Sequence, residues 1–256
     1  MVFYFTATGN SLYVAKKFDE NPMSIPQMLK NNTYDFCDER IGIVFPIYAG
    51  RAPKIVLDFL RKSVFKTNYL YFIGTYGNND SAICKTLPEE CKKLNIKADY
   101  INTVSMVDNY LPVFDMEQEK QADKGTDKKL EEIIADISVE KRSIPKATSQ
   151  GIRLAKQVWA MEKLHIMSND GSQLKIKADL CIGCGICKKV CPVNNIIISS
   201  GKSKRKYSKC EYCLACAHSC PKKAITIKRG EKNPNARYRN ENITLHEIVE
   251  ANNQEK

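Results

Sequence analysis

Eight of the 11 cysteines fall within 40 residues, in two runs of one spelling: CIGCGICKKVCP from Cys181 to Pro192 and CEYCLACAHSCP from Cys210 to Pro221. Each run reads CxxCxxCxxxCP, and Cys210 follows Cys181 by 29 residues. The apolar pair Ile196 and Ile198 recurs at the same interval as Ile225 and Ile227, so the segment reads as two copies of one half-module. A cubic iron–sulfur cluster needs four thiolates converging on a small volume, and three of them can come from one tight loop. The proline after the fourth cysteine turns the chain away, so that cysteine reaches the cluster of the other half. The spacing therefore assigns Cys181, Cys184, Cys187 and Cys220 to one 4Fe-4S cluster (cluster I), and Cys210, Cys213, Cys216 and Cys191 to a second (cluster II). Gly183 and Gly185 allow close backbone approach and amide hydrogen bonds to sulfur. A pair of four-cysteine zinc sites is the alternative, although such sites usually use paired CxxC knuckles separated by a loop.

The other candidate groups take plainer readings. Tyr207 and Tyr212 are expected to shield cluster II, and His218, between two ligands, is expected at the surface. Cys84 and Cys91 share a helical face with Leu87 and read as core thiols, while Cys37 stands alone. His165 and His246 have no constellation around them, and no Ser/His/Asp or Cys/His arrangement is found.

Around the cysteines the chain divides by composition. With 256 residues, 43% hydrophobic and 27% charged, it can bury a sizeable core and is neither disordered nor fibrous. The longest near-apolar stretch, Ile41 to Gly50, is too short for a membrane span, no secretory leader is recognised, and a cytoplasmic location is expected. Residues 1–142 alternate apolar strands (Val2–Phe5, Ile41–Ile47, Tyr69–Gly74, Asp99–Met106) with helical patterns, among them Thr126–Ile137. That alternation predicts an α/β fold with a doubly wound parallel sheet. Residues 108–124 read as an insertion or long loop. Residues 143–171 form a linker containing a helix over Ala147–Ile166, in which Trp159 is expected to pack into the core. Residues 172–229 form the cysteine module, a small α+β unit, and residues 230–256 a polar tail that can wrap back with a short helix near Leu245–Val249.

Charge follows the same division, because residues 172–229 hold 13 Lys and Arg against only Asp179 and Glu211, a net +11 that equals the charge of the whole chain. Two clusters with eight thiolates lower the module to about +7. The remaining basic residues, including Lys202, Lys204, Arg205, Lys206 and Lys209, suit an acidic protein partner or the neighbourhood of a bound flavin phosphate. Nucleic acid is disfavoured, since no basic groove interleaved with aromatics accompanies them.

The module resembles the bacterial-type ferredoxin with two 4Fe-4S clusters over about 58 residues, from Ser172 to Arg229. A second resemblance sits at the N-terminus, where Thr6-Ala7-Thr8-Gly9-Asn10-Ser11 follows the first strand and opens a helix. Its hydroxyls and backbone N–H groups can wrap a phosphate without a positive side chain. The run is similar to the FMN-phosphate loop of flavodoxins, Ser/Thr-x-Thr-Gly-Asn-Ser/Thr, and an ordinary Ser/Thr-rich helix cap is the bland alternative. By that resemblance, Pro46-Ile47-Tyr48-Ala49-Gly50 and Gly74-Thr75-Tyr76-Gly77-Asn78 flank the flavin ring. Tyr48 and Tyr76 would stack on the ring, and the backbone of Ala49, Gly50, Gly77 and Asn78 would bond its edge. The second loop lacks the Trp common in flavodoxins, and Asp108-Asn109-Tyr110 has no counterpart there.

The whole chain resembles fused flavodoxin-like and ferredoxin proteins of anaerobes. The resemblance implies an electron-transfer protein passing electrons between FMN and two 4Fe-4S clusters and exchanging with an external, acidic redox protein. Two other readings stand beside it. One is an FMN-dependent reductase of a small molecule, closed by residues 108–124 and fed by the clusters; the other is a ferredoxin carrying a flavin-free interaction domain.

Overall fold

In the computed structural model, which describes residues 1–80, 82–164, 171–207 and 210–255, two layers of helix cover a parallel sheet. The sheet region runs β1 (Val2–Tyr4), α1 (Asn10–Ala15), β2 (Met23–Ser24), α2 (Ile25–Asn31), β3 (Asp35–Cys37), β4 (Arg40–Pro46), α3 (Lys54–Lys62), β5 (Val64–Lys66) and β6 (Tyr69–Tyr76). It continues through α4 (Ile83–Lys93), β7 (Tyr100–Ser105), α5 (Met116–Glu119) and α6 (Thr126–Ser138). Strands β2-β1-β4-β6-β7 lie side by side and parallel, so the strand order reverses between β1 and β4. Short β3 and β5 pair with each other at the side.

Because strand side chains alternate between faces, each apolar run feeds two cores. Val2, Tyr4, Val44, Tyr71 and Ile73 pack under α1 and α6 on one face, while Phe3, Phe5, Ile43, Phe45 and Phe72 pack under α3 and α4 on the other. Gly42 is required between strands, since a Cβ there would lie 2.3 Å from the Tyr71 ring. Sequence periodicity locates the long strands to within one or two residues. It misses β2, β3, β5 and α2, whose two- to seven-residue lengths carry too few apolar positions to show a period.

The linker helix α7 (Ser149–Lys163) buries only Gly151 and Ala155. The expected continuation to Ile166, and His165 and Lys209, lie outside the described residues. The cysteine module contains β8 (Leu174–Ile176), α8 (Ile186–Lys189), β9 (Ile196–Ser199), β10 (Lys202–Arg205), α9 (Ala215–His218) and β11 (Ile225–Ile227). Its pairings cross between the halves: β8 of the first pairs with β11 of the second, and β9 of the first with β10 of the second, both antiparallel. The 29-residue period also survives in the backbone, with left-handed φ at Gly183 and Tyr212, at Gly185 and Leu214, and at Asn194 and Lys223.

The C-terminal tail is more ordered than its polar composition suggests. Helix α10 (Leu245–Asn252) is opened by a capping box between Thr244 and Glu247 and buries Ile248 and Ala251 against the rest of the chain. No helix among the described residues is long and apolar enough to cross a membrane.

Candidate functional site

The crossed strand pairing folds the two cysteine runs onto two cavities. Cys181, Cys184, Cys187 and Cys220 line one, together with Gly183, Gly185 and Pro221. Cys191, Cys210, Cys213 and Cys216 line the other, with Pro192 and Leu214. Each cavity thus takes three cysteines from one run and the last cysteine of the other. Ile176 and Ile225, a register pair between β8 and β11, stand in both walls. Only an apolar partition of side-chain thickness therefore separates the cavities. Among the described residues, no three His, Cys, Asp or Glu side chains converge closely enough to hold a single metal ion.

Backbone amides point at the sulfurs, again with the sequence period. Asn195 N–H donates to Cys191 Sγ at 3.2 Å, and its repeat Ala224 N–H donates to Cys220 Sγ at 3.2 Å. Ser203 N–H reaches Cys181 Sγ and Tyr212 N–H reaches Cys210 Sγ, both at 3.3 Å. As bare thiols these groups sit badly, because an apolar cavity penalises the thiolate. Burial pushes Cys210 up to about 11 and holds Cys213 and Cys216 well above the ordinary thiol range. A thiolate set there is favourable only with a cation inside, which is the chemistry an iron–sulfur core supplies. The donor set, its amides and the cavity walls fit two 4Fe-4S clusters.

Several neighbours are placed differently from the sequence expectation. His218 is buried, not superficial: its Nδ1 accepts the Tyr238 N–H at 3.1 Å, so Nε2 carries the proton and donates to Asn109 O at 2.8 Å. Burial lowers its pKa to about 4, which keeps the imidazole neutral. Tyr212 is buried, edge-on to Tyr110, whereas Tyr207 is 45% exposed and caps the Val193 carbonyl. Trp159 is half-buried outside the core: its Nε1 donates to Ala49 O at 2.8 Å, and the Arg51 guanidinium lies over the ring. Cys91 is a core thiol, but Cys84 is only half-buried and Cys37 is exposed.

The N-terminal loop comes out closed. Thr6, Thr8 and Ser11 are each no more than 2% exposed, and their hydroxyls are engaged inside the protein. Thr6 Oγ1 accepts the Gly9 N–H, Thr8 Oγ1 accepts from the Asn109 side chain, and Ser11 Oγ shares a 2.8 Å bond with Thr75 Oγ1. The C-terminal tail covers what remains. Tyr238 and Asn240 donate to Asn10 Oδ1, Asn240 N–H donates to Thr8 O, and Asn252 donates to Thr6 O. Gly9 is hemmed in as well, since a Cβ there would lie 3.0 Å from both Asn240 and Ile243. Ala7 is buried beside it.

The two expected ring loops carry bonds within the protein. Pro46 ends β4, and Tyr48 closes a tight turn by exchanging backbone bonds with Arg51, with Ala49 and Gly50 in left-handed conformations between them. Ala49 O serves Trp159, and Gly50 O accepts from Thr86. Asn78 N–H donates to Asp108 Oδ2 and Gly77 O accepts from Ser105, while Tyr76 lines a polar hollow with Asp80 and Lys124. Residues 108–124 form no lid: Leu111 and Met116 are core residues, each 1% exposed. With its hydroxyls paired and its backbone roofed by the tail, the Thr6–Ser11 loop in this conformation does not fit the FMN phosphate. No sequence signal marks Asn240 and Asn252 as that roof, because they lie more than 200 residues from the loop they cover.

A family model for a 4Fe-4S dicluster domain matches residues 173–221. A ferredoxin of Thermococcus litoralis is 34% identical over 58 residues, which is 22% of this chain and 98% of that protein. One component of an ion-translocating oxidoreductase complex from Methanosarcina acetivorans is 37% identical over 71 residues, 26% of this chain. This chain spans only 27% of that component's length. A solved structure of a Trp repressor binding protein from Bacillus subtilis superposes at a TM-score of 0.35 with 12% identity, over 56% of this chain and 99% of that one. A superposition that loose carries no argument. The ferredoxin match does: through its cysteine module the chain belongs to the 4Fe-4S dicluster ferredoxin family.

Proposed function

We propose that the chain is an electron-transfer protein in which Cys181, Cys184, Cys187 and Cys220 hold cluster I and Cys191, Cys210, Cys213 and Cys216 hold cluster II. The observation that carries this is the pair of cavities, each walled by three cysteines of one run and the last cysteine of the other. When bound, each cluster supplies a one-electron acceptor and donor. The chain's own groups do the rest. The amides of Asn195, Ser203, Tyr212 and Ala224 stabilise charge on the ligand sulfurs, a lever that raises reduction potential. The Ile176 and Ile225 pair keeps water from between the sites and keeps them close.

For the sheet domain, the closed loop supports the reading in which it serves as a flavin-free scaffold and interaction domain. What favours FMN is the strand order. Counting only its own five strands the sheet reads 2-1-3-4-5, a flavodoxin-like order whose switch point lies beside the Thr6–Ser11 loop. That order describes a fold, and the roof over the loop stands against using it for flavin here. A one-electron redox titration of anaerobically prepared protein, followed by electron paramagnetic resonance, tests the proposal. Two reducible centres per chain support it, and a chain that takes up no electrons at low potential overturns it.

A further inference from the structure

The two cavities differ in what lies outside them. Around the cluster II cavity stands the sheet domain: Glu211 in its wall accepts the Ile55 N–H at 3.1 Å, Tyr212 meets Tyr110, and Cys213 packs against the Phe-rich core. The cluster I cavity instead lies under the loop of residues 180–185, which meets the turn at Gly201 through Gly183 and, among the described residues, leaves Leu180, Ile182 and Cys184 open. In that loop Leu180 is 42% exposed, Ile182 is 60% exposed and Cys184 is exposed. Two large exposed apolar side chains on either side of the buried Cys181, with the exposed Cys184 just beyond, make a small contact core rather than a solvated surface.

Lysines frame it. Lys177 is exposed and its carbonyl holds the Cys181 N–H, Lys202 Nζ donates to Cys181 O at 2.6 Å, and Lys222 stands in the cavity wall. Only Asp179 opposes them on this loop. The other acid of the module, Glu211, is spent on the domain contact. The charge on this face is therefore complementary to carboxylates.

We propose that this face, Leu180 and Ile182 framed by Lys177, Lys202 and Lys222, is the docking surface for an acidic redox protein. Cluster I is the port through which it exchanges electrons. The inference rests on the two-cluster reading. In the encounter one electron passes between the partner's cofactor and cluster I, so that one is oxidised and the other reduced by a single electron; no bond forms or breaks and no proton moves. The lysines steer the approach and set its salt dependence, and the apolar pair supplies the dry contact.

The test uses the full-length, cluster-loaded protein and a purified acidic 2Fe-2S ferredoxin as the probe, with affinity measured by calorimetry at low and high salt. Between about 20 and 200 mM salt the affinity is expected to fall about tenfold or more. The Lys177→Glu/Lys222→Glu pair is expected to weaken binding about tenfold at low salt, and Ile182→Asp to weaken it at both salt levels. Lys92→Glu/Lys128→Glu, which changes net charge equally on the sheet domain, is expected to leave it within about twofold. Equal weakening by both charge pairs would overturn the assigned face, as would tighter binding of a duplex DNA oligonucleotide than of the ferredoxin. Iron and sulfide counted on the same samples separate the two readings. A chain without clusters sinks the two-cluster reading, whereas a loaded chain whose affinity ignores Lys177, Lys222 and Ile182 sinks the docking face alone.

Discussion

Cys220 closes a cavity whose other three cysteines lie 33 to 39 residues earlier, and Cys191 closes one whose other three lie 19 to 25 residues later. The crossed arrangement makes specific demands on substitution. Changing Cys184 or Cys220 to Ser is expected to cost the same cluster, about four of eight irons, and the double change to cost no more. Combining Cys184→Ser with Cys191→Ser is expected to empty both sites. Iron counted on the four variants reads this directly, and additive loss in the Cys184/Cys220 pair would mean that the two ligate different clusters.

His218 carries a second residue-scale prediction. Its folded pKa of about 4 lies below the ordinary 6.5, so the unfolded chain takes up the proton first as pH falls. The stability it contributes is complete above 6.5 and drains away as the pH falls toward 4. Stability should therefore fall as the pH is lowered from about 7.5 to 5.5, read by urea unfolding of the loaded protein. His218→Gln should flatten that slope, and an unchanged slope would show that the imidazole is not the titrating group.

At the scale of elements, the tail decides what the sheet domain can do. The Thr6–Ser11 motif is legible because it is local, and the α/β alternation because each long strand carries enough apolar positions to show its period. Its closure is not legible. The contacts that roof it come from Tyr238, Asn240 and Asn252, whose polar side chains read in isolation as a solvated tail. Trp159 misled for a related reason, since helical spacing says which residues share a face but not that this face rests on a loop carbonyl.

Two consequences follow at this scale. Asn252 is fully buried and donates to Thr6 O at 3.0 Å, so Asn252→Ala is expected to cost about 1–3 kcal/mol of stability by chemical denaturation. Added FMN is expected to stay free in the presence of the full-length chain, its fluorescence unquenched. One FMN bound per chain would show that the tail lifts from the loop and would restore the flavin reading.

For the whole molecule, the division of labour follows from burial and charge. One of the sheet domain's two cores runs on into the cysteine module and the tail, and the domain also grips that module at Glu211, Tyr212 and His218, on the cluster II side and at α9. The open loop with Lys177, Lys202 and Lys222 around it lies on the cluster I side, while Arg205 lines the cluster II cavity. The cysteine module was the most legible part of the chain, because its 29-residue repeat is written in exact spelling and recurs in the backbone conformation. The grip between domains was the least legible, since its shared core and its long-range bonds join segments far apart in the chain and leave no periodic trace. The central claim is that both cavities hold cubane clusters, and a count of iron, acid-labile sulfide and zinc per chain on anaerobically purified protein tests it most directly. About eight iron and eight sulfide with no zinc is the predicted result; two zinc with no sulfide, or about four iron, would contradict it.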